Sequence, residues 1–98
     1  MTKIDFHEAL AMANVKIEAY EKQSRHNLAI IESSTIFVGH GWVFFYNTRE
    51  FIETMDIVHA LGGNCPIYIT NNGSLFELPT HMPWEEGIKA RGASDWHF

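Results

Sequence analysis

Apolar residues recur every three or four positions through the first quarter of the chain. Between positions 5 and 22 the steps are four, three, four and three, at Phe6, Leu10, Ala13, Ile17 and Tyr20. This spacing places the side chains on one face of a helix. Asp5 and Glu8 stand three residues apart at its start, as in a capping box with Asp in the usual Ser/Thr place. The pattern predicts an N-terminal helix.

The periodicity then changes to that of strands. Residues 28–31 and 35–38 predict one interrupted strand or two short ones, and Gly39 to Gly41 predict a turn. Residues 42–47, "WVFFYN", predict the next strand, which forms a hairpin with the preceding run. Alternation places Trp42, Phe44 and Tyr46 on one face of this strand.

The other face of that strand is apolar too, because it carries Val43 and Phe45. Two apolar faces are costly in a solvated single-layer sheet. We therefore expect one face to meet the N-terminal helix, and the other to be covered by a later segment or by a partner chain.

A helix and a second hairpin are predicted next. Thr48 can cap a helix over residues 49–61, "REFIETMDIVHAL", which Gly62–Gly63 would end. Pro66 opens the strand "IYIT", and "NNG" turns the chain back through "SLFEL".

A closing helix, "WEEGIKA", begins near Pro83. The predicted fold class is α+β: an antiparallel four-stranded meander with an N-terminal helix, a short mid-chain helix between the two hairpins and a short C-terminal helix, with the helices largely on one face. The 98 residues fit a single domain, 1–98.

Charge and composition narrow the function classes. Twelve acidic and seven scattered basic residues give a net charge of −5, which disfavours nucleic-acid binding. The same charge would speed the encounter with a basic protein, but it is also ordinary for a bacterial protein, so charge alone does not decide the partner. The start of the chain is not a signal peptide and no window is apolar enough for a membrane span, so we expect a cytoplasmic protein. The one cysteine, Cys65, agrees with a reducing compartment.

Catalytic and metal-binding patterns are weak. Cys65 could be a nucleophile with His59 as its base, but a lone cysteine is more often a small buried apolar residue. The six histidines show no HxH or HxxxH spacing and there is no cysteine pair, so no metal site is predicted. The sequence therefore predicts neither catalytic residues nor a cofactor.

Acidic and aromatic residues are the candidates for a binding surface. Glu50, Glu53 and Asp56 occur at i, i+3 and i+6 of the predicted mid-chain helix, as an acidic contact ridge or as a solvated face. Trp84 could be an exposed anchor or a core residue. The candidate partner-binding set consists of Glu50, Glu53, Asp56, Tyr68, Phe76 and Trp84.

The chain resembles the YrhB-like family of small bacterial proteins, also known as the immunity protein 35 domain. The resemblance rests on "GWVFFYNTREFIET", "ALGGNCPIYIT", "NNGSLFEL" and "PWEEGI" and covers nearly the whole chain. The motif residues carried over are Trp42, Phe44, Tyr46, Glu50, Glu53, Gly63, Asn64 and Pro66. Several of these are expected to define the fold rather than a binding site.

The resemblance implies an α+β protein without an enzymatic active site, encoded beside a polymorphic or contact-dependent toxin that it binds and neutralises. The first hypothesis is therefore an immunity protein whose partner is a cognate toxin. The second is a chaperone-like heat-stress protein that binds unfolded clients, a role that the resemblance also implies for one branch of the family. Such a protein, or a homodimer, would use the apolar sheet face for its contacts. The third is an enzyme that uses Cys65.

Overall fold

The first helix, α1, spans Phe6–Ser24 in the computed structural model, which describes residues 3–62 and 64–92. Both bonds of the predicted capping box are present: the Glu8 N–H donates to Asp5 Oδ1 at 2.9 Å, and the Asp5 N–H donates to Glu8 Oε1 at 3.2 Å. The helix ends at Arg25, whose φ of 63° is left-handed. The helix and its cap are thus confirmed.

Within residues 3–62 and 64–92, six strands form two antiparallel sheets. The strands are β1 (Leu28–Ile30), β2 (Ile36–Val38), β3 (Gly41–Phe44), β4 (Tyr46–Thr48), β5 (Ile67–Thr70) and β6 (Leu75–Glu77). The larger sheet has the order β2-β3-β5-β6, and β1 pairs with β4 in a separate two-stranded ribbon. The predicted α+β class with its antiparallel four-stranded sheet is confirmed, and the ribbon is an addition to it.

The ribbon exists because the predicted strand 42–47 is broken at Phe45. The Phe45 carbonyl accepts a hydrogen bond from the Ile31 N–H at 2.8 Å, outside both ladders. Beyond this residue the chain leaves the larger sheet and pairs with β1, with Tyr46 opposite Ile30. The interpretation of residues 28–38 as two short strands is confirmed.

The first face of the larger sheet packs against α1. Its cluster joins Ala9, Ala13, Ile17, Leu28, Phe44, Tyr46, Ile67 and Ile69, with Trp42 partly buried against it. Gly41 is required in β3, because a Cβ at this position would overlap the Ile69 carbonyl of the neighbouring strand. The predicted grouping of Trp42, Phe44 and Tyr46 on one face is confirmed, and the structure shows that this face is the one that α1 covers.

The second face is covered by the chain itself. Val43, Tyr68, Leu78 and Ile88 form its buried cluster, to which α3 (Trp84–Gly92) contributes Ile88. The expectation that the helices lie largely on one face is therefore wrong. Both sheet faces are apolar, so each of them buries its side chains under a different helix.

The mid-chain helix is much shorter than predicted. Helix α2 spans Arg49–Thr54, the chain turns at Met55 with φ 57°, and a separate 3₁₀ turn follows at Ile57–His59. The prediction of one helix up to Gly62 is wrong here, because side chains within the segment bond its backbone in a non-helical arrangement, as described below. Gly63 lies outside the described residues.

Candidate functional site

Residues 49–61, here termed the arm, leave the ribbon after β4 and return toward β5. Two asparagines close this excursion. Asn47 Oδ1 accepts hydrogen bonds from the Leu61 N–H at 2.7 Å and from the Thr48 N–H at 2.8 Å. Asn64 Nδ2 donates to the Tyr46 carbonyl at 2.6 Å. Because these bonds join residues 14 and 18 positions apart, they fix where the arm begins and ends.

Thr48 makes a third link at the base of the arm. Its hydroxyl oxygen accepts from the Phe51 N–H at 3.0 Å, which caps α2. The same hydroxyl donates to the His59 carbonyl at 2.6 Å, across the whole arm. Thr48 is buried, so this one side chain couples the start of the arm to its end. Asn47, Thr48 and Asn64 are referred to below as the base.

The middle of the arm is shaped by two short polar side chains. Thr54 donates to the Glu50 carbonyl at 2.7 Å and accepts from the Asp56 N–H at 3.1 Å. Asp56 Oδ1 accepts from the Val58 N–H at 3.0 Å and so caps the 3₁₀ turn. Such local bonds compete with helix continuation, which explains why α2 ends at Thr54.

These bonds hold three large apolar side chains out in solvent. Met55 is 71% exposed, Ile57 82% and Val58 81%. They are three of the five exposed large hydrophobic residues in the described part of the chain, together with Val15 and Phe37. Met55, Ile57 and Val58 fall within four consecutive positions and are termed the apolar trio.

The acidic residues of the arm precede the trio or lie within it in the sequence, but they do not form the predicted ridge. Glu50 and Glu53 lie on α2, whereas Asp56 lies beyond its end and caps the 3₁₀ turn. The i, i+3, i+6 interpretation is therefore corrected, because the helix stops before Asp56. Glu50 Oε2 lies 3.2 Å from His59 Nδ1, an ion pair when the imidazole is protonated.

A cleft borders the arm on either side. A largely apolar cleft of about 430 Å³ is lined by Ile31, Ser33, Ser34, Phe51, Ile52 and Met55. A second cleft, of about 290 Å³, is lined by the opposite part of the arm, including Glu50, Val58 and His59. The arm thus presents apolar side chains, acidic groups and two concave margins in one short segment.

The aromatic members of the predicted binding set lie elsewhere. Tyr68 is 1% exposed in β5, so it is a core residue and cannot contact a partner in the folded chain, which corrects its place in that set. Phe76 stacks on Tyr68 with ring centroids 6.1 Å apart, and Trp84 packs partly buried against the same cluster. These residues belong to the second sheet face, whereas α2 packs on β4 and the 3₁₀ turn.

Cys65 lies near a tyrosine cluster on the first face. The Tyr20 hydroxyl donates to the Glu77 carboxylate, and the Tyr20 and Tyr46 rings stack with centroids 5.5 Å apart. Burial raises the pKa of Tyr46 to about 12, with smaller contributions from Cys65 and Glu77. Burial and the Glu77 hydrogen bond also raise the pKa of Tyr20. Both hydroxyls are therefore neutral at physiological pH and unsuited to act as bases.

The arrangement offers little to the enzyme hypothesis. The imidazole of His59 contacts Glu50, and Cys65 is half-buried and influences Tyr46. The predicted nucleophile and base thus have different neighbours. Across residues 3–62 and 64–92 no group of three acidic, histidine or cysteine side chains is placed to hold a metal ion. Within the same ranges no helix is long and apolar enough to span a bilayer.

One known protein family fits nearly the whole chain. The model of the immunity protein 35 family matches residues 7–90. This chain belongs to that family. It is similar to the uncharacterized protein YrhB of Escherichia coli (strain K12), with 32% identity over 87 residues that cover 88% of this chain and 86% of the relative. No solved structure matches the chain. The resemblance drawn from its motifs is thus confirmed.

The motif residues that suggested the immunity protein 35 family lie mostly in the packing and backbone bonding of the fold. Phe44 and Tyr46 are buried in the first cluster, with Trp42 against it. Asn64 bonds the Tyr46 carbonyl, and the Pro66 carbonyl accepts from the Leu78 N–H at 2.8 Å. Gly63 lies outside the described residues.

Sequence reasoning missed the apolar trio and the roles of Asn47 and Thr54. The trio was hidden because Met55, Ile57 and Val58 fit an amphipathic helix as well as an exposed turn. The available signal was Thr54 and Asp56 two residues apart, since short polar side chains favour caps and turns over helix interiors.

Proposed function

We propose that this chain is an immunity protein that binds and neutralises a cognate toxin in the bacterial cytoplasm, acting as a single domain. The observation that carries the proposal is the match of residues 7–90 to the immunity protein 35 family. The acidic balance of the chain favours a basic protein target over nucleic acid.

Neutralisation by binding requires a rigid scaffold that presents a partly apolar surface, without a catalytic group. The hydrogen-bonded arm and its exposed trio support such a role. Glu50 and Glu53 of the predicted binding set stay in the proposal on the arm, together with Asp56. Phe76 and Trp84 remain candidates for a separate contact on the second sheet face.

The proposal is tested by expressing the toxin domain encoded beside this gene, alone and together with the chain. We expect growth arrest with the toxin domain alone, rescue by co-expression, and a stable complex when the two purified proteins are mixed. A chain that protects no cell and forms no complex with that protein would refute the immunity role.

Titration of the toxin's activity with the purified chain separates binding from catalysis. Neutralisation by binding reaches completion near one chain per toxin molecule. Complete inactivation at a small fraction of that ratio would indicate an enzyme acting on the toxin, and Cys65→Ser would then show whether the thiol is responsible.

The exposed trio also favours a second candidate, a chaperone-like protein for unfolded clients, because exposed apolar side chains can capture such chains. The distinction is one of specificity. Suppression of the heat-induced aggregation of several unrelated proteins, without a stoichiometric complex with the toxin domain, would favour this second role.

A further inference from the structure

We infer that the arm is the surface through which this chain contacts its toxin, with the apolar trio (Met55, Ile57 and Val58) inserted into the toxin and the neighbouring carboxylates facing a basic rim. This inference rests on the proposed function and specifies its contact surface.

The trio is the first reason. Its side chains are 71–82% exposed and lie outside both core clusters, so they contribute little to folding stability. Apolar side chains concentrated in one turn gain their burial only when another surface covers them. At protein interfaces such residues form the water-excluded centre of the contact.

The rigidity of the backbone beneath the trio is the second reason. Thr54 and Asp56 bond the turn from within, and Thr48 ties its end to the start of α2. A loop that is already ordered loses little conformational entropy on binding. The arm therefore suits rigid docking into a preformed pocket better than wrapping around a flexible client.

Charge identifies the kind of partner. The arm carries three carboxylates, Glu50, Glu53 and Asp56, and one permanently charged basic residue, Arg49. All four side chains are exposed. Carboxylates around an apolar centre complement a basic rim around an apolar pocket, and they speed the encounter with such a surface. The same charges disfavour docking onto nucleic acid or onto a second copy of this acidic arm.

The other exposed apolar residues lack this combination. Val15 lies on α1 beside an apolar cleft of about 340 Å³, whose lining also includes Met12, Lys16, Ala19 and Leu75. The charged group in this lining is the Lys16 ammonium, not a carboxylate. Phe37 on β2 already contacts Phe6, with ring centroids 5.7 Å apart. Val15, at 66% exposure, is therefore a matched control for the trio.

The test measures binding of the purified neighbouring toxin domain by calorimetry to the wild-type chain, to Ile57→Ser with Val58→Ser, and to Val15→Ser. We expect the double variant to lose at least about tenfold in affinity, and Val15→Ser to stay within about twofold of the wild type. In stopped-flow mixing at low and high salt, Glu50→Gln with Glu53→Gln should mainly slow association and weaken its salt dependence, whereas Glu18→Gln on α1 should change neither.

The outcomes separate this inference from the proposed function. If the wild type does not bind the toxin domain, both fail. If the wild type binds and the Ile57/Val58 variant binds equally well, the immunity role stands and the assigned surface is wrong. The inference is also overturned if the wild type is a dimer and the Ile57/Val58 variant is a monomer, because the trio would then be a dimer contact. It is overturned likewise if the variant loses binding to several unrelated unfolded proteins as strongly as it loses binding to the toxin domain.

Discussion

The base, which flanks the arm, and the apolar trio, which lies within it, both depart from the usual burial of apolar and exposure of polar side chains. At the base, the polar side chains of Asn47 and Thr48 are turned inward and bond backbone groups. In the arm, Ile57 and Val58 are turned toward solvent. The comparison teaches that stability and recognition are carried by separate residues here: the base fixes the shape of the arm, and the trio is left available for contact.

Among the substitutions considered, removal of the Asn47 amide should have the largest effect on folding stability. Asn47→Ala leaves the Leu61 and Thr48 N–H groups without their acceptor. Because an unsatisfied backbone group costs about 1–3 kcal/mol and this site is only half-buried, we expect the free energy of unfolding to fall by about 2–3 kcal/mol. Urea denaturation followed by tryptophan fluorescence measures it.

Asn47→Asp is the control for the acceptor, since it keeps Oδ1. It loses the 3.4 Å bond from Nδ2 to the Leu61 carbonyl and places a carboxylate oxygen against that carbonyl. It should therefore be more stable than Asn47→Ala and less stable than the wild type. If the Ala and Asp variants were equally stable, the link between β4 and the end of the arm would not be structural.

An alkaline titration tests the interior beside the base. Burial raises the pKa of Tyr46 to about 12, above its ordinary value of 10.0. Between these values the unfolded chain releases the proton and the folded chain keeps it, so stability is complete below pH 10 and falls as pH rises. At about pH 11 this one group should account for about 1 kcal/mol of the loss.

Tyr46→Phe removes that contribution. The drop in unfolding free energy between about pH 9 and pH 11 should be smaller in the variant than in the wild type by about 1 kcal/mol. The remaining drop includes the contributions of Tyr20 and Tyr68, whose pKa values are also raised. Equal drops in both proteins would mean that the Tyr46 hydroxyl is open to water in solution.

The smallest effect on folding is expected at the trio. Ile57→Ser with Val58→Ser should change the free energy of unfolding by less than about 0.5 kcal/mol per site, because both side chains are exposed and outside the core clusters. Thermal unfolding of the variant and of Val15→Ser gives the comparison. A large loss of stability in the Ile57/Val58 variant would show that these residues support the fold. Stability and recognition would then not be carried by separate residues.

Much of the fold was predictable from short-range pattern. The step of three and four residues and the Asp5–Glu8 pair predicted α1 with its cap, and alternation placed Phe44 and Tyr46 on the same strand face. These features were accessible because a helix face, a cap and a strand face depend on residues only a few positions apart.

The candidate site was less predictable. The predicted acidic ridge is broken because α2 ends before Asp56, and Tyr68 was placed on the surface and is core. An aromatic residue on a strand with two apolar faces gives no local sign of which face is covered. Only the packing of α3 over Val43 and Tyr68 decided it.

Local sequence was thus sufficient for the kinds of element, their order and the family, because repeats of two and 3.6 residues and short motifs are properties of neighbouring positions. Three-dimensional packing decided the break at Phe45, the early end of α2, the burial of Tyr68 and the exposure of Ile57. The physical reason is that hydrogen bonds such as Asn47 to Leu61 and Asn64 to Tyr46, and the covering of each sheet face, join residues far apart in the chain.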